Sequence, residues 1–295
     1  MIELATNFYL VTAPNKSRFP FCNTFLLKGA ETVIIDAGFD TDTLLDIDKE
    51  HRIDIIVFSH SHPDHILNWH LLKDRHILMP VETPDAITDL QLLGERFTGT
   101  RERGAYWARH IAEGLGIHPM REPDGRFKVG DVLELAGFKL KPIHAPGHLD
   151  DHYVFFEQDT GILLTSDIDF SGFGPFYFQP EGNIEKFKTS IQKIMALPYS
   201  LVASSHKMPI KGDATDDFNK FSAGFDRHME KVLSICETPR TMEEMVSLSP
   251  VYNKRMPLEV IRDTFEEGMI SKWMDLLIRE GRITKNGNHY VKTKT

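Results

Sequence analysis

His60-Ser61-His62-Pro63-Asp64-His65 is an H-x-H-x-D-H pattern that puts four metal-ligating side chains within six residues. Random placement of 14 His and 23 Asp in 295 residues would produce it with a probability of about 0.002, so packing alone explains it poorly. Just before it, Ile53-Asp54-Ile55-Ile56-Val57-Phe58 reads as a largely apolar strand buried on both faces. Residues two apart on an extended chain point the same way, so His60 and His62 can reach one ion. Pro63 suits the first position of a helix running through Leu72. Asp64 and His65 are adjacent on that turn, point in different directions, and can help build a second ion site beside the first. Two adjacent metals can drive hydrolysis at neutral pH.

Working outward, short apolar runs alternate with polar turns through the first ~210 residues. Phe8 to Val11, Asn23 to Leu27 and Thr32 to Ile35 read as strands, punctuated by Gly29 and Gly38. Further strand patterns fall at Phe138 to Ile143, Tyr153 to Phe156, Gly161 to Leu164 and Leu201 to Ser204. Residues 84–121 read as helical, with Tyr106, Trp107 and Ile111 serving either core packing or a lid over a substrate pocket. Asn183 to Leu197 is a predicted helix with Ile184, Phe187, Ile191 and Ile194 on one face.

Three positions at predicted strand ends supply what the cluster lacks: His148, Asp167 and His206. Imidazole and carboxylate without thiolate suit Zn²⁺, Mn²⁺ or Fe²⁺ rather than a structural thiolate zinc site. After Asp167 runs an aromatic loop with Phe170, Phe173, Phe176, Tyr177 and Phe178. It reads equally as a wall for an apolar acyl group, thioester or lactone, or as core beneath a turn. Asp36 is expected to support the site rather than to catalyse.

Beyond about residue 212 the pattern changes. Asp216 to Cys236 reads as a connecting helix, followed by helix, helix, helix and a hairpin around Lys285-Asn286-Gly287-Asn288. Thr241-Met242-Glu243-Glu244 opens like a capping box, and Ile270, Trp273, Met274, Leu277 and Ile278 form a helical stripe. This is a winged-helix pattern. Its last stretch carries Lys272, Arg279, Arg282, Lys285, Lys292 and Lys294 against Asp275 and Glu280, a patch that can either touch phosphates or pack against a neighbour.

Order and motifs together resemble the metallo-β-lactamase superfamily, over residues ~20 to 210. The C-terminal part resembles the winged helix of a branch of β-lactamase-like and glyoxalase II-like proteins. The resemblance implies an α+β fold, a four-layer αββα sandwich with metals at one edge of two packed sheets. It implies three segments: a catalytic domain over 1–212, a connecting helix over 213–238 and a winged-helix-like domain over 239–295. It also implies roles. His60, His62 and His148 would hold a first metal, Asp64, His65 and His206 a second, with Asp167 bridging; Zn²⁺ fits best. A hydroxide bridging the two metals would cleave a small-molecule ester, thioester or lactone, with Asp64 as the catalytic acid–base group. The alternatives are a metal-dependent ribonuclease and a mononuclear iron enzyme similar to persulfide dioxygenases. The chain departs from the branch in two places. Lys207 stands where Gly usually follows the last ligand, and His152, which reads as a partner behind a ligand, a substrate contact or a surface residue, stands where many relatives have a small residue.

Composition sets bounds. With 41% hydrophobic and 26% charged residues the chain is an ordinary globular protein. A net charge of −9 argues against a protein that coats nucleic acid over its whole surface. Two cysteines, Cys22 and Cys236, are too few for a disulfide framework and suit a reducing, cytoplasmic setting. No secretory signal opens the chain, and no run approaches the ~20 apolar residues of a membrane span. The expected partners are a small-molecule substrate and, for assembly, a second copy in a homodimer.

Overall fold

Strict alternation along the central strands builds two cores from one sheet. The computed structural model describes residues 1–254 and 258–293. Its first sheet runs in chain order: β1 (Ile2–Ala5), β2 (Phe8–Val11), β3 (Thr24–Lys28), β4 (Thr32–Ile35), β5 (Ile55–Val57), β6 (His76–Pro80) and β7 (Gly125–Phe127). Pairing is antiparallel from β1 to β4 and parallel from β4 to β7. Phe25, Leu27, Val33 and Ile35 face the second sheet, while Leu26, Ile34 and Ile56 face outward. The second sheet, in spatial order, is β13 (Ile210–Lys211), β12 (Leu201–Ser204), β11 (Ile162–Ser166), β10 (Tyr153–Glu157), β9 (Phe138–His144) and β8 (Leu133–Leu135). It contributes Leu140, Tyr153, Phe155, Leu164 and Ala203 to the inter-sheet core and Val154, Phe156, Leu163 and Val202 to its outer face.

Helices cover both outer faces, completing the αββα layers expected from the sequence. Thr41–His51 and the segment from Asp85 to Leu115 cover the first sheet. Ile184–Met195, Thr215–Ile235 and Glu259–Arg279 cover the second. The expected helix from Pro63 to Leu72 is two short pieces, an α-turn at Pro63–Ile66 and a 3₁₀ turn at Trp69–Leu72. Asn68 breaks it. Its backbone N–H donates to Ala37 O at 3.1 Å and its amide to Phe39 O at 2.5 Å, tying the turn to the loop after β4. Close approach explains Gly38 in that loop: a Cβ there would lie 1.6 Å from Asp64 O.

The C-terminal segment holds two helices among the described residues, Met242–Leu248 and Glu259–Arg279, rather than three. The capping box forms, with Thr241 Oγ1 accepting from Glu244 N and Glu244 Oε2 from Thr241 N. Ile270, Trp273, Met274 and Leu277 are buried as the stripe predicts, but Ile278 stands half out of the core. β14 (Ile283–Asn286) and β15 (His289–Lys292) make the expected hairpin. The basic patch is largely engaged within the chain: Lys272 donates to Pro180 O, Arg279 pairs with Glu185 and Lys292 with Glu237. Lys294 lies outside the described residues. No described helix is long and apolar enough to cross a membrane.

Candidate metal centre

Four loops meet at one edge of the sandwich, leaving β5, β9, β11 and β12, and together they carry all seven expected ligands. His62 Nδ1 lies 3.0 Å from His60 Nε2 and 2.8 Å from His148 Nε2. Asp167 Oδ2 closes this first group at 3.0 Å from His148 Nε2 and 3.5 Å from His60 Nε2. The other carboxylate oxygen, Oδ1, faces a second group, 3.0 Å from His65 Nε2 and 3.3 Å from His206 Nε2. Asp64 Oδ2 joins that group 3.5 Å from His206 Nε2. One carboxylate therefore spans two clusters of donors.

The far ring nitrogens show why the near ones converge. His148 Nδ1–H donates to Phe176 O at 2.8 Å, His206 Nδ1–H to Ser17 O at 2.6 Å, and His65 Nδ1–H to Asp36 Oδ2 at 2.8 Å. His60 Nδ1 sits 3.0 Å from Ser59 Oγ. His62 Nε2 meets the side-chain amide of buried Gln179 at 2.5 Å, and Gln179 Oε1 has no other partner. An amide can present either end, and the orientation in which Oε1 accepts from His62 Nε2–H satisfies both atoms. With each outer nitrogen engaged as a donor, the inner nitrogens of the first group are bare lone pairs. Three lone pairs within about 3 Å repel unless a cation sits between them. A cation ~2.1 Å from each imidazole requires much this spacing.

Electrostatics agree. Burial, reinforced by His148, pushes His62 down to about 3, and burial with His65 holds His60 well below the usual range. Burial opposes the charge on Asp167, yet His65 and His206 outweigh it and keep the carboxyl well below its usual range. His60 and His62 are thus neutral imidazoles beside an anion, a poor proton site and a good cation site. Cys22 also approaches His65 and Asp36. Burial pushes its thiol up to about 12, so it stays protonated, and Asp36 is already committed to His65 and to Ser59, whose Oγ–H donates at 2.9 Å.

His152 is neither surface residue nor substrate contact but takes the remaining one of its three expected roles, a partner behind a donor. It is fully buried, donating from Nδ1 to Ala145 O at 2.9 Å and accepting from Asp167 N–H at 3.2 Å through Nε2. It therefore positions the carboxylate shared by the two groups. Asp36 supports His65, as the sequence suggests. Gln179 and the Ser17 carbonyl were not foreseeable, since neither carries a motif. Ser17 ends a run of left-handed residues, Asn15, Lys16 and Ser17, at φ 52°, 57° and 54°. Such residues cost on the order of 1 kcal/mol each and persist only where surroundings enforce them. Here Asn23 enforces them: it takes Ser17 Oγ–H and Ala13 N–H on its Oδ1 while its amide donates to Ser204 O and Lys207 O.

The aromatic loop divides. Phe170 packs on Phe218 and Tyr177 is core, while Phe173, Phe176 and Phe178 line a cavity above the donors. Trp107 and Ile111 line the same cavity, whereas Tyr106 points to solvent.

The model of the metallo-beta-lactamase superfamily matches residues 18–206. The chain belongs to that superfamily. It stands among the superfamily's hydrolases; members bind metal ions, and the buried His/Asp cluster fits such a site. It is 28% identical to an uncharacterized protein of Aquifex aeolicus over 61% of this chain and 80% of that one. It is 27% identical to the hydroxyacylglutathione hydrolase GloC of Haemophilus influenzae over 54% and 71%, respectively. The hydroxyacylglutathione hydrolase of Xylella fastidiosa (strain M12) is 28% identical, and the match covers 59% of this chain and 54% of that protein. Among solved structures, a metallo-beta-lactamase family protein from Thermus thermophilus superposes with a TM-score of 0.74 at 21% identity, covering 99% of this chain and 100% of that one. The likeness of fold to that structure thus extends over the C-terminal helices as well.

Proposed function

We propose that the chain is a metal-dependent hydrolase of a small-molecule ester, thioester or lactone. The observation that carries this reading is the pair of donor groups sharing Asp167 at the floor of an apolar cavity. His60, His62 and His148 would hold one divalent cation and Asp64, His65 and His206 a second, with one Asp167 oxygen for each. This donor set suits Zn²⁺, with Fe²⁺ and Mn²⁺ compatible. Bound there, the pair supplies Lewis acidity and makes hydroxide available near neutral pH.

The protein's own contribution is placement. Ser59, Gln179, Phe176, Asp36 and Ser17 fix the five imidazoles before anything binds, so little reorganisation remains. Burial raises the Asp64 carboxyl above its usual range, against the pull of His65 and His206. Its oxygen would hold the proton that the leaving group takes. The two hydroxyacylglutathione hydrolases named above support the thioester among the three bond types. An apolar wall disfavours a phosphodiester backbone, which speaks against the ribonuclease alternative. A mononuclear oxygenase would leave the Asp64–His65–His206 group without a task.

The test is a panel of thioesters, lactones and phosphodiesters offered to metal-reconstituted protein, with metal analysis of wild type and His62→Ala. We expect acyl hydrolysis, with loss of both metal and turnover in the variant. Turnover confined to phosphodiesters, or unchanged metal content and turnover in the variant, refutes the reading.

A further inference from the structure

The cavity above the donors is larger than a short acyl group needs. It has a volume of about 950 Å³, the upper end of what drug-sized ligands occupy. Three separate segments build its walls: Trp107 and Ile111 from the 101–115 helix, Phe176 and Phe178 from the loop after Asp167, and Ile261 and Phe265 from the C-terminal helix. Phe178 and Phe265 pack with ring centroids 4.0 Å apart and planes tilted by 37°, joining the loop to that helix. Among the described residues, the carboxylates lining the cavity are Asp64 and Asp167 of the donor groups and the neighbouring Asp169. Exposed Lys16, Arg18 and Lys207 line it as well. With Asp64 and Asp167 committed to the donor groups, three cations face Asp169 alone on this cavity, in a chain of net charge −9.

Resting on the hydrolase reading, we propose that the substrate is a thioester whose acyl part is a long apolar chain and whose thiol part is anionic. The chain lies among the six wall residues. The reacting carbonyl sits at the donors, and the anionic thiol carrier leaves past Lys16, Arg18 and Lys207. Water adds across the acyl carbon, the C–S bond breaks, and a carboxylic acid and a free thiol are released. The cavity is continuous with His62, Asp64 and His148, which favours a substrate rather than a docked protein segment. Lys207, which directly follows the donor His206 and lines the cavity, becomes part of carrier recognition.

Two measurements test this together. The first is kcat/KM for straight-chain acyl-coenzyme A thioesters from C2 to C14, against the same acyl groups on neutral N-acetylcysteamine. We expect a rise of about fourfold per methylene through the middle of the series, from ~0.8 kcal/mol per buried CH₂. Arg18→Glu with Lys207→Glu should cut the preference for the anionic carrier at least tenfold. The second needs no turnover: displacement of anilinonaphthalene sulfonate from metal-free protein by C2 to C14 fatty acids, with affinity rising with length. Phe265→Ala should weaken the longest acids at least tenfold; Ile261→Ala serves if that variant fails to fold. Hydrolysis with no dependence on chain length, and fatty-acid displacement equally flat, overturns the acyl-chain assignment while leaving the hydrolase reading intact. Graded fatty-acid binding with no hydrolysis of any ester, thioester or lactone overturns the hydrolase reading instead. Equal turnover on both carriers overturns the anionic thiol.

Discussion

Replacing Gln179 with Leu isolates the effect of one hydrogen bond on the first donor group. Gln179 is buried and its amide is the partner of His62 Nε2 at 2.5 Å. Leu keeps most of the volume and removes the acceptor. His62 Nδ1 faces His60 and His148 only while the ring is held, because the imidazole can otherwise turn about χ2. Partners of this kind are worth about 10- to 100-fold in metal affinity, or ~1.4–2.7 kcal/mol. A competing effect acts on folding, since His62 Nε2–H would lose its partner in a buried setting, at ~1–3 kcal/mol. Titration of metal-free protein with Zn²⁺ against a competing chelator separates the two when paired with urea unfolding of the metal-free form. Gln179→Glu should restore affinity, because a carboxylate oxygen accepts from the same N–H. Affinity of Gln179→Leu within twofold of wild type, at unchanged metal-free stability, would refute the argument.

His206→Ala should lower bound metal from about two equivalents to about one by elemental analysis, since it empties one corner of the Asp64–His65–His206 group and leaves the first group whole. His228 gives a pH signature remote from the donors. Burial, with Lys231 and Arg227, lowers it to about 4 from 6.5, and Tyr177 O–H donates to its Nδ1 at 3.0 Å. The unfolded chain therefore binds this proton first. The contribution is fully present above about pH 6.5 and is lost as pH falls toward 4, up to about 3 kcal/mol. Urea midpoints between pH 4.5 and 7.5 should show that slope, and His228→Gln, which cannot protonate, should flatten it.

The fold was legible where apolar residues alternate. β2, β3, β4 and β9 to β12 follow from runs such as Phe25-Leu26-Leu27 and Ile162-Leu163-Leu164, whose side chains fill opposite cores. β1, β7, β8 and β13 carry two to four residues each, too few for a period to show. The donors were legible because their chemistry is rare and their spacing short. Their supports were not. Ser17 acts through its carbonyl, Phe176 likewise, and Gln179 is an amide inside an aromatic loop. A backbone carbonyl has no sequence signature, and only the meeting of loops far apart in the chain assigns it a task. The break at Asn68 was hidden for the same reason, because its partners at Ala37 and Phe39 lie on another segment.

Arg96 shows how such meetings join the site to its walls. It sits on the helix Leu90–Thr98 with its side chain 7% exposed, and it reaches Ser61, Asp151 and Glu181 at once. Ser61 lies between His60 and His62 of the first donor group, Asp151 follows His148 in its loop, and Glu181 follows Gln179. One guanidinium thus fastens the first-sheet helices to three loops of the donor groups. Asp151 is fully buried, and Arg96 with Thr83 Oγ1, at 3.0 Å, satisfies it. Arg96→Met would strand that carboxylate, and breaking a buried pair from one side costs ~3–5 kcal/mol. Arg96→Met with Asp151→Asn removes both charges, so the double variant should recover at least ~1 kcal/mol relative to the sum of the singles. Denaturant unfolding of the four proteins measures this. Additive effects would mean that Arg96 packs as an aliphatic stem, its charge irrelevant. Coupling would mean that a single buried ion pair sets the spacing between the cavity wall and His62.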